Sequence, residues 1–399
     1  MRTWKAVLLL LTLFLVAYVA GNCLEGAPGG EGGGSLEVGG QVETPGEQAS
    51  GEKPLTPPKR LNPDEVEYSD LLPLWEREIG GLNFVTPGDN KLLVASTTGK
   101  VMALDPSTGL LLWSFEVGSW IASRPTYANG AVFFGSVDHY LYALDANTGT
   151  MLWKFKAMGE ILTPPVFHNG VLFFVSDNNE IYDLRTRVYA LNAADGGLLW
   201  GYDAKGWVAS APSVNSTCVF LGCYSREVIC LQGQDGKYLW NFPVSSLVFS
   251  SPLATDGVVY ISSVGGDVYA VQVADGKPIW EKTINEFVWL SPVLSEGAIF
   301  LGSYSQNIYA LDRATGEERW AYNIRDMLDF TPQTQGELLY VFTGTGKIYT
   351  LKMQDGSLIN SYQSGYSFST APLVWADRVY VGTSDGYVRA FQIPPSGGR

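Results

Sequence analysis

Four cysteines and two histidines carry the widest chemical repertoire in this 399-residue chain, and their spacing assembles no reactive centre. Cys218, Cys223 and Cys230 match no zinc-ligand pattern. Cys223 and Cys230 flank one predicted hairpin. Two states are open to that pair, a disulfide in an exported protein or two buried thiols. His139 and His168 both fall at predicted turns, too few for a nucleophilic triad or a multi-histidine metal site. Asp329 and Glu160 are isolated acids near predicted inner strands, and a hard cation needs several converging oxygens. Asn215-Ser216-Thr217 matches a glycosylation triplet of a kind that is common by chance. The sequence therefore offers no catalytic, cofactor or metal residues. What it offers is recognition chemistry. Phe84, Trp120, Trp207, Phe249, Phe287, Trp289, Phe330 and Phe368 all lie shortly before a proline that recurs in phase. Aromatics gathered on a concavity suit a peptide or a small apolar ligand, and the competing reading is packing between repeats.

The elements that would position those aromatics follow from a period. Ala103, Ala143, Ala190, Cys230, Ala270, Ala310, Thr350 and Ala390 open equivalent stretches, spaced 40, 47, 40, 40, 40, 40 and 40 residues apart. Such a period marks a repeat architecture. Within 121–160, turn signals at Asn129-Gly130, Asp138-His139 and Asp145-Ala-Asn-Thr148-Gly149 separate four short β-prone runs. Four antiparallel strands per repeat describe a β-propeller blade. In the third turn the Asp accepts backbone N–H groups and the Gly supplies positive φ. Trp113, Trp153, Trp200, Trp240, Trp280 and Trp320 stand four residues past that Gly, placed to bury a flat surface in the seam between blades. The prolines at 125, 165, 212, 252, 292, 332 and 372 suit an innermost strand with a free edge. Each Trp precedes the next such Pro by 12 residues, and Trp75 precedes Pro87 by the same 12. The last repeat ends near Gln392 without an outer strand of its own. Pro73–Glu78 is therefore expected to supply it, closing an all-β, eight-bladed ring by pairing the two chain ends.

Two departures stand out. Asn360 replaces the Trp of the seventh repeat, so that seam should be weaker or differently packed. Seven extra residues around 178–187 lengthen one hairpin, which makes Tyr182, Leu184 and Arg185 candidates for partner contact, against a neutral surface insertion.

A basic start (Arg2, Lys5) and a 15-residue apolar run, Ala6 to Ala20, read as a signal peptide over 1–22, short of a membrane span. Cys23 after Ala20-Gly21-Asn22 resembles a lipoprotein cleavage site, with Asn22 and Ala20 departing from the usual residues. Plain secretion and an uncleaved anchor are the alternatives to lipidation. Residues 23–70, rich in Gly, Glu and Pro, read as a flexible linker before a propeller over 71–399. A net charge of −14 argues against nucleic acid as a partner.

The motif Ala-Leu-Asp-x-x-Thr-Gly-x-x-x-Trp at 103–113, 143–153 and 310–320 resembles the tryptophan-docking repeat of pyrroloquinoline-quinone (PQQ) type propellers. WD40 signatures are lacking. The resemblance covers residues from about 72 onward and implies one of two branches. Quinoprotein dehydrogenases hold PQQ and Ca²⁺ in a chamber built by extra loops, often beneath adjacent cysteines; this chain has no Cys-Cys pair and about 40 residues per blade. Non-enzymatic propellers include the outer-membrane assembly lipoproteins of the BamB type. That branch implies an envelope protein or peptide as partner, periplasmic or outer-membrane localisation, and no cofactor. Leu184-Arg185 is only superficially like the Leu-Arg-Gly element of that branch, because Thr186 follows, and no role is carried onto it.

Overall fold

A computed structural model describes residues 66–393 apart from 181–182, 209 and 296. The signal segment, Cys23 and most of the linker lie outside the described residues, as does Tyr182. Alternating and fully apolar runs of five or six residues, bounded by Gly, Asp and Asn turns, form eight antiparallel sheets. Blade 2 is representative. Its strands run Thr126–Ala128, Ala131–Gly135, Tyr140–Asp145 and Met151–Lys156 from the axis outward. Blades 1 to 7 occupy 83–116, 126–156, 166–203, 213–243, 253–283, 293–323 and 333–363. Blade 8 takes its three inner strands from 373–392 and its outer strand from Pro73–Glu78. The two ends pair in antiparallel register, Trp75 opposite Ala390 and Glu78 opposite Tyr387. The in-phase prolines from Pro125 to Pro372 sit immediately before the innermost strands, one residue outside the ladder.

The core is segmented. Eight apolar clusters fill the eight seams between adjacent blades, as in the Leu93, Ala95, Trp113, Phe134 and Leu144 group between blades 1 and 2. Seven seams share one docking device. The indole of Trp113 lies against Gly149 of the next blade, so closely that a Cβ there would come within 2.6 Å of the ring. Its Nε1 donates to Ala146 O at 2.9 Å. Trp75, Trp153, Trp200, Trp240, Trp280 and Trp320 repeat both contacts on the turns of blades 1, 3, 4, 5, 6 and 7. The turn holds its shape because Asp145 Oδ1 accepts from the N–H groups of Asn147 and Thr148, and Gly149 takes φ +72°.

The eighth seam, between blades 7 and 8, is built differently. Asn360 stands in the docking position opposite Thr350. Blade 8 has no matching turn, because its third and fourth strands come from opposite ends of the chain. The segment before the outer strand fills the gap. Ser69 and Asp70 pair in parallel with Tyr362 and Gln363, adding a fifth strand to blade 7. Leu71 is buried in the seam cluster. The Tyr68 hydroxyl meets that of Tyr349 at 2.9 Å, and Ser361 Oγ donates to Glu67 O at 2.6 Å. The last residues assigned to the linker, 67–70, are thus docked on the ring.

Closure also rests on Arg389, which is 3% exposed. Its guanidinium contacts Asp385 at 2.7 Å and Glu76 at 3.0 Å, and lies over the Tyr366 ring at 3.7 Å. Glu76 belongs to the N-terminal strand, so this ion pair joins the chain ends.

Candidate functional site

The predicted aromatic rim divides in the structure, and the distance of each residue from its in-phase proline explains how. Three residues before the proline stand Phe84, Phe249 and Trp289, and these line a cavity of about 360 Å³ to which all eight blades contribute. Five residues before it stand Trp120, Trp207 and Phe287, in the segments that cross from one blade to the next on a single face of the ring. Four residues before it stands Phe368, buried at 4% exposure and packed on Phe391 in the seam of blades 7 and 8. Phe330, two residues before its proline, packs on the same cluster. Successive residues of an extended chain point to opposite sides, so aromatics at odd offsets face the cavity or the surface and those at even offsets face the seam. Phe330 and Phe368 therefore leave the candidate surface.

On the crossing face, blades 4 to 6 carry two aromatic groups. Trp207 and Phe249 flank Tyr224, with ring centroids 5.8 and 5.9 Å apart. Phe287 and Trp289 flank Tyr304, at 6.1 and 5.9 Å. Tyr224 and Tyr304 are 46% and 48% exposed and occupy equivalent places after the second strands of blades 4 and 6. Sequence reasoning missed both. Their equivalent positions in Cys223-Tyr224-Ser225 and Ser303-Tyr304-Ser305, 80 residues apart, are the signal that aligning the hairpins would have revealed. Trp120 is 47% exposed on blade 2.

Among its described residues, the 178–187 insertion extends the second hairpin of blade 3. Its strands, Val171–Glu180 and Asp183–Asn192, stay paired out to Glu180 opposite Asp183, and Leu184 and Arg185 pair opposite Asn179 and Asn178. At the base of the hairpin, Asp177 accepts from Thr186 Oγ1 at 2.5 Å and from Trp207 Nε1 at 3.1 Å. Burial raises the Asp177 carboxyl above its ordinary value, opposed by the hydrogen bonds from Thr186 and Trp207. This carboxyl ties the extended hairpin to the first aromatic group.

The other reactive residues scatter. Cys223 faces the blade 3 seam while Cys218 and Cys230 face the blade 5 seam. All three are buried free thiols, so the Cys223–Cys230 disulfide is excluded by facing. Asp329, raised by burial, accepts from Gly344 N at 2.5 Å. It stands on blade 7, four blades from Glu160 on blade 3. Among the described residues no three of His, Cys, Asp and Glu come together in a cation-binding group. Asn215 is buried and donates to Thr255 O at 2.7 Å, which makes its amide a structural group.

The fold recurs in solved structures. BamB from Moraxella catarrhalis superposes with a TM-score of 0.67 at 18% identity, over 81% of this chain and 100% of that one. The computationally designed Ika8 protein does so at 0.69 and 15%, over 81% and 99%. The quinohemoprotein alcohol dehydrogenase ADHIIG from Pseudomonas putida HK5 does so at 0.65 and 12%, over 84% and 81%. At these identities the likeness concerns the fold alone. No curated protein sequence matches the chain. A family profile is more specific, matching residues 73–163, 184–328 and 305–394, nearly the whole ring. With that coverage, and with the docking seams described above, this chain belongs to the propeller family described as outer membrane protein assembly factor BamB.

Proposed function

We propose that the protein is a non-catalytic propeller of the cell envelope that docks a protein partner in outer-membrane protein assembly. In this reading the partner binds the crossing face of blades 4 to 6, beside the extended hairpin of blade 3. The observation that carries it is the pair of aromatic groups centred on Tyr224 and Tyr304, half-exposed on that face. Exposed aromatics next to a rigid scaffold are characteristic of protein interfaces and their energetic hot spots. Family membership supports the assembly role. Lipidation at Cys23 and a tether through the linker would hold the ring near the membrane. No resident cofactor is part of this reading.

The test is a photoreactive residue placed at Tyr224 or Tyr304 in intact cells, with Leu239 on the outer circumference as control, itself 44% exposed. The reading expects a discrete adduct with an outer-membrane assembly protein from the first two positions only. It expects that adduct to disappear when Trp207 and Phe287 are both replaced by alanine at unchanged secondary structure. Identical adducts from Leu239, or none from Tyr224 and Tyr304, overturn it. Dye-linked alcohol oxidation on adding PQQ and Ca²⁺ would overturn the non-catalytic part.

A further inference from the structure

The residue immediately before each in-phase proline forms a ring around the axis. Blades 1 to 8 contribute Thr86, Arg124, Pro164, Ala211, Ser251, Ser291, Thr331 and Ala371. Seven of these are small or uncharged. Arg124 alone carries charge, and it lines the axial cavity.

Arg124 is half-buried against the cavity and lacks the carboxylates that a crowded guanidinium normally keeps. Its hydrogen bond runs to Ala371 O on blade 8, at 3.5 Å. Among the described residues no carboxylate pairs with it. Arg389 is the contrast within the same molecule: at 3% exposure it is the less accessible of the two by surface area, and it holds two carboxylates and an aromatic ring. An uncompensated charge taken out of water is costly unless something else meets it. Burial accordingly pulls the Arg124 guanidinium below its ordinary range. The wall on the same side adds unmet polar capacity. The hydroxyls of Ser123, Thr163 and Ser210, on blades 2, 3 and 4, are buried without a hydrogen-bond partner, and all three residues line the cavity. The corresponding hydroxyls of blades 5 and 8 are satisfied, Ser250 by Ser262 O and Thr370 by Asn83 O. These oxygens are closed off from the open space of the cavity, so they mark one under-satisfied arc of its wall and are not ligand contacts. The apolar part of the wall is Phe84 on blade 1, Phe249 on blade 5 and Trp289 on blade 6, on either side of that arc.

We infer that the axial cavity is a binding site for a small organic monocarboxylate, its carboxylate held by Arg124 and its apolar body by Phe84, Phe249 and Trp289. A single guanidinium balances one negative charge and presents a fork that matches the two oxygens of a carboxylate. A cavity of about 360 Å³ lies within the range of small-molecule sites. The site shares Phe249 and Trp289 with the crossing-face groups, but it rests on Arg124 and stands if that reading fails.

Titration calorimetry of the mature protein with phenylacetate tests it, alongside ¹⁹F line broadening of 4-fluorophenylacetate. Phenylacetamide, of equal shape and no charge, is the matched control, and inorganic phosphate is the second anion. The expected result is one phenylacetate site per chain, with phenylacetamide and phosphate each at least about 10-fold weaker. Arg124→Met should weaken phenylacetate by about 10- to 100-fold, and Arg124→Lys should recover part of that loss. The melting temperature of unliganded Arg124→Met should equal or exceed that of the parent, because an uncompensated charge has been removed. Equal binding of acid and amide, phosphate binding as tight as phenylacetate, or no binding at about 10 mM overturns the inference. So does a lower melting temperature for Arg124→Met, which would make the arginine a structural group.

Discussion

Replacing Gly149 by alanine probes the docking seam at its tightest point. Two costs are separable there. The first is conformational: Gly149 sits at φ +72°, where an L side chain is disfavoured by about 1 kcal/mol. The second is steric, because the new Cβ would come within 2.6 Å of two atoms of the Trp113 ring. Trp113 is only 8% exposed. Full burial of an indole is worth roughly 4–6 kcal/mol from its area. Displacing it far enough to clear the methyl group forfeits about a third to a half of that, and its hydrogen bond to Ala146 O adds about 1 kcal/mol. Gly149→Ala should therefore cost about 3–5 kcal/mol. Gly130, on the same blade at φ +76°, has nothing within 4 Å of the added Cβ. Gly130→Ala should cost about 1 kcal/mol, the conformational part alone. Urea unfolding followed by both tryptophan fluorescence and far-UV circular dichroism measures the difference and checks that the two probes coincide. A double-mutant cycle completes the test: in a Trp113→Ala background the added cost of Gly149→Ala should fall to about 1 kcal/mol. If the two glycine variants agree within about 0.5 kcal/mol, or the cost of Gly149→Ala survives removal of the indole, the docking account is wrong.

Two further outcomes are expected. Arg389→Met should destabilise the ring by about 1–3 kcal/mol, since it strips a buried cation from Glu76 and Asp385, both of which keep some contact with water. The Arg389 guanidinium holds the Asp385 carboxyl down at about 2, against an ordinary value of 3.8. Its contribution is therefore complete above about pH 4 and is lost as pH falls toward 2, so acid unfolding of Arg389→Met should begin from a lower plateau with a shallower slope in that window. Asp177→Asn should be neutral or stabilising at pH 7, because burial raises the Asp177 carboxyl and its charged form is disfavoured in the folded state. A raised carboxyl makes stability fall as pH climbs through the folded value, so any gain from the amide should shrink as pH falls through that raised value and have gone below the ordinary value of 3.8; melting temperatures at pH 7 and pH 3.5 measure it.

Much of this architecture is legible in the amino-acid order because a propeller repeats one local solution. The Asp–Gly turn, the Trp four residues on and the proline 12 beyond it recur in register, and each has a local cause: hydrogen bonds across a turn, positive φ, a flat apolar ring. Counting them sufficed to place Trp75 in the last blade, since a closed ring has to supply every inner edge with an outer strand. The eighth blade has no continuous turn, so a Trp at position 360 would have nothing to dock on, and Asn360 marks the one seam where docking is geometrically unavailable. That Leu71 fills this seam, and that Tyr68 docks on Tyr349 in the neighbouring seam of blades 6 and 7, was not legible, because their segment resembles linker in composition and is held by contacts made some 280 residues away.

The candidate site was less legible than the scaffold. Aromatics close to an inner strand look alike in one dimension, yet a shift of one residue sends a side chain from cavity to seam. Phe249 and Phe368 differ by that single step in their distance from proline, and one lines the axis while the other is core. Arg124 needed the whole ring to become visible. Its local neighbours Ser123 and Pro125 suggest nothing. Only closure brings seven uncharged positions from distant parts of the chain around it and leaves it, among the described residues, without a paired carboxylate. Local order along the chain thus dictates each blade and the seam that follows it, because those contacts span about 33 to 40 residues and recur. What surrounds the axis is decided by all eight blades at once, and there the tertiary structure alone determines which groups meet and which charge goes unanswered.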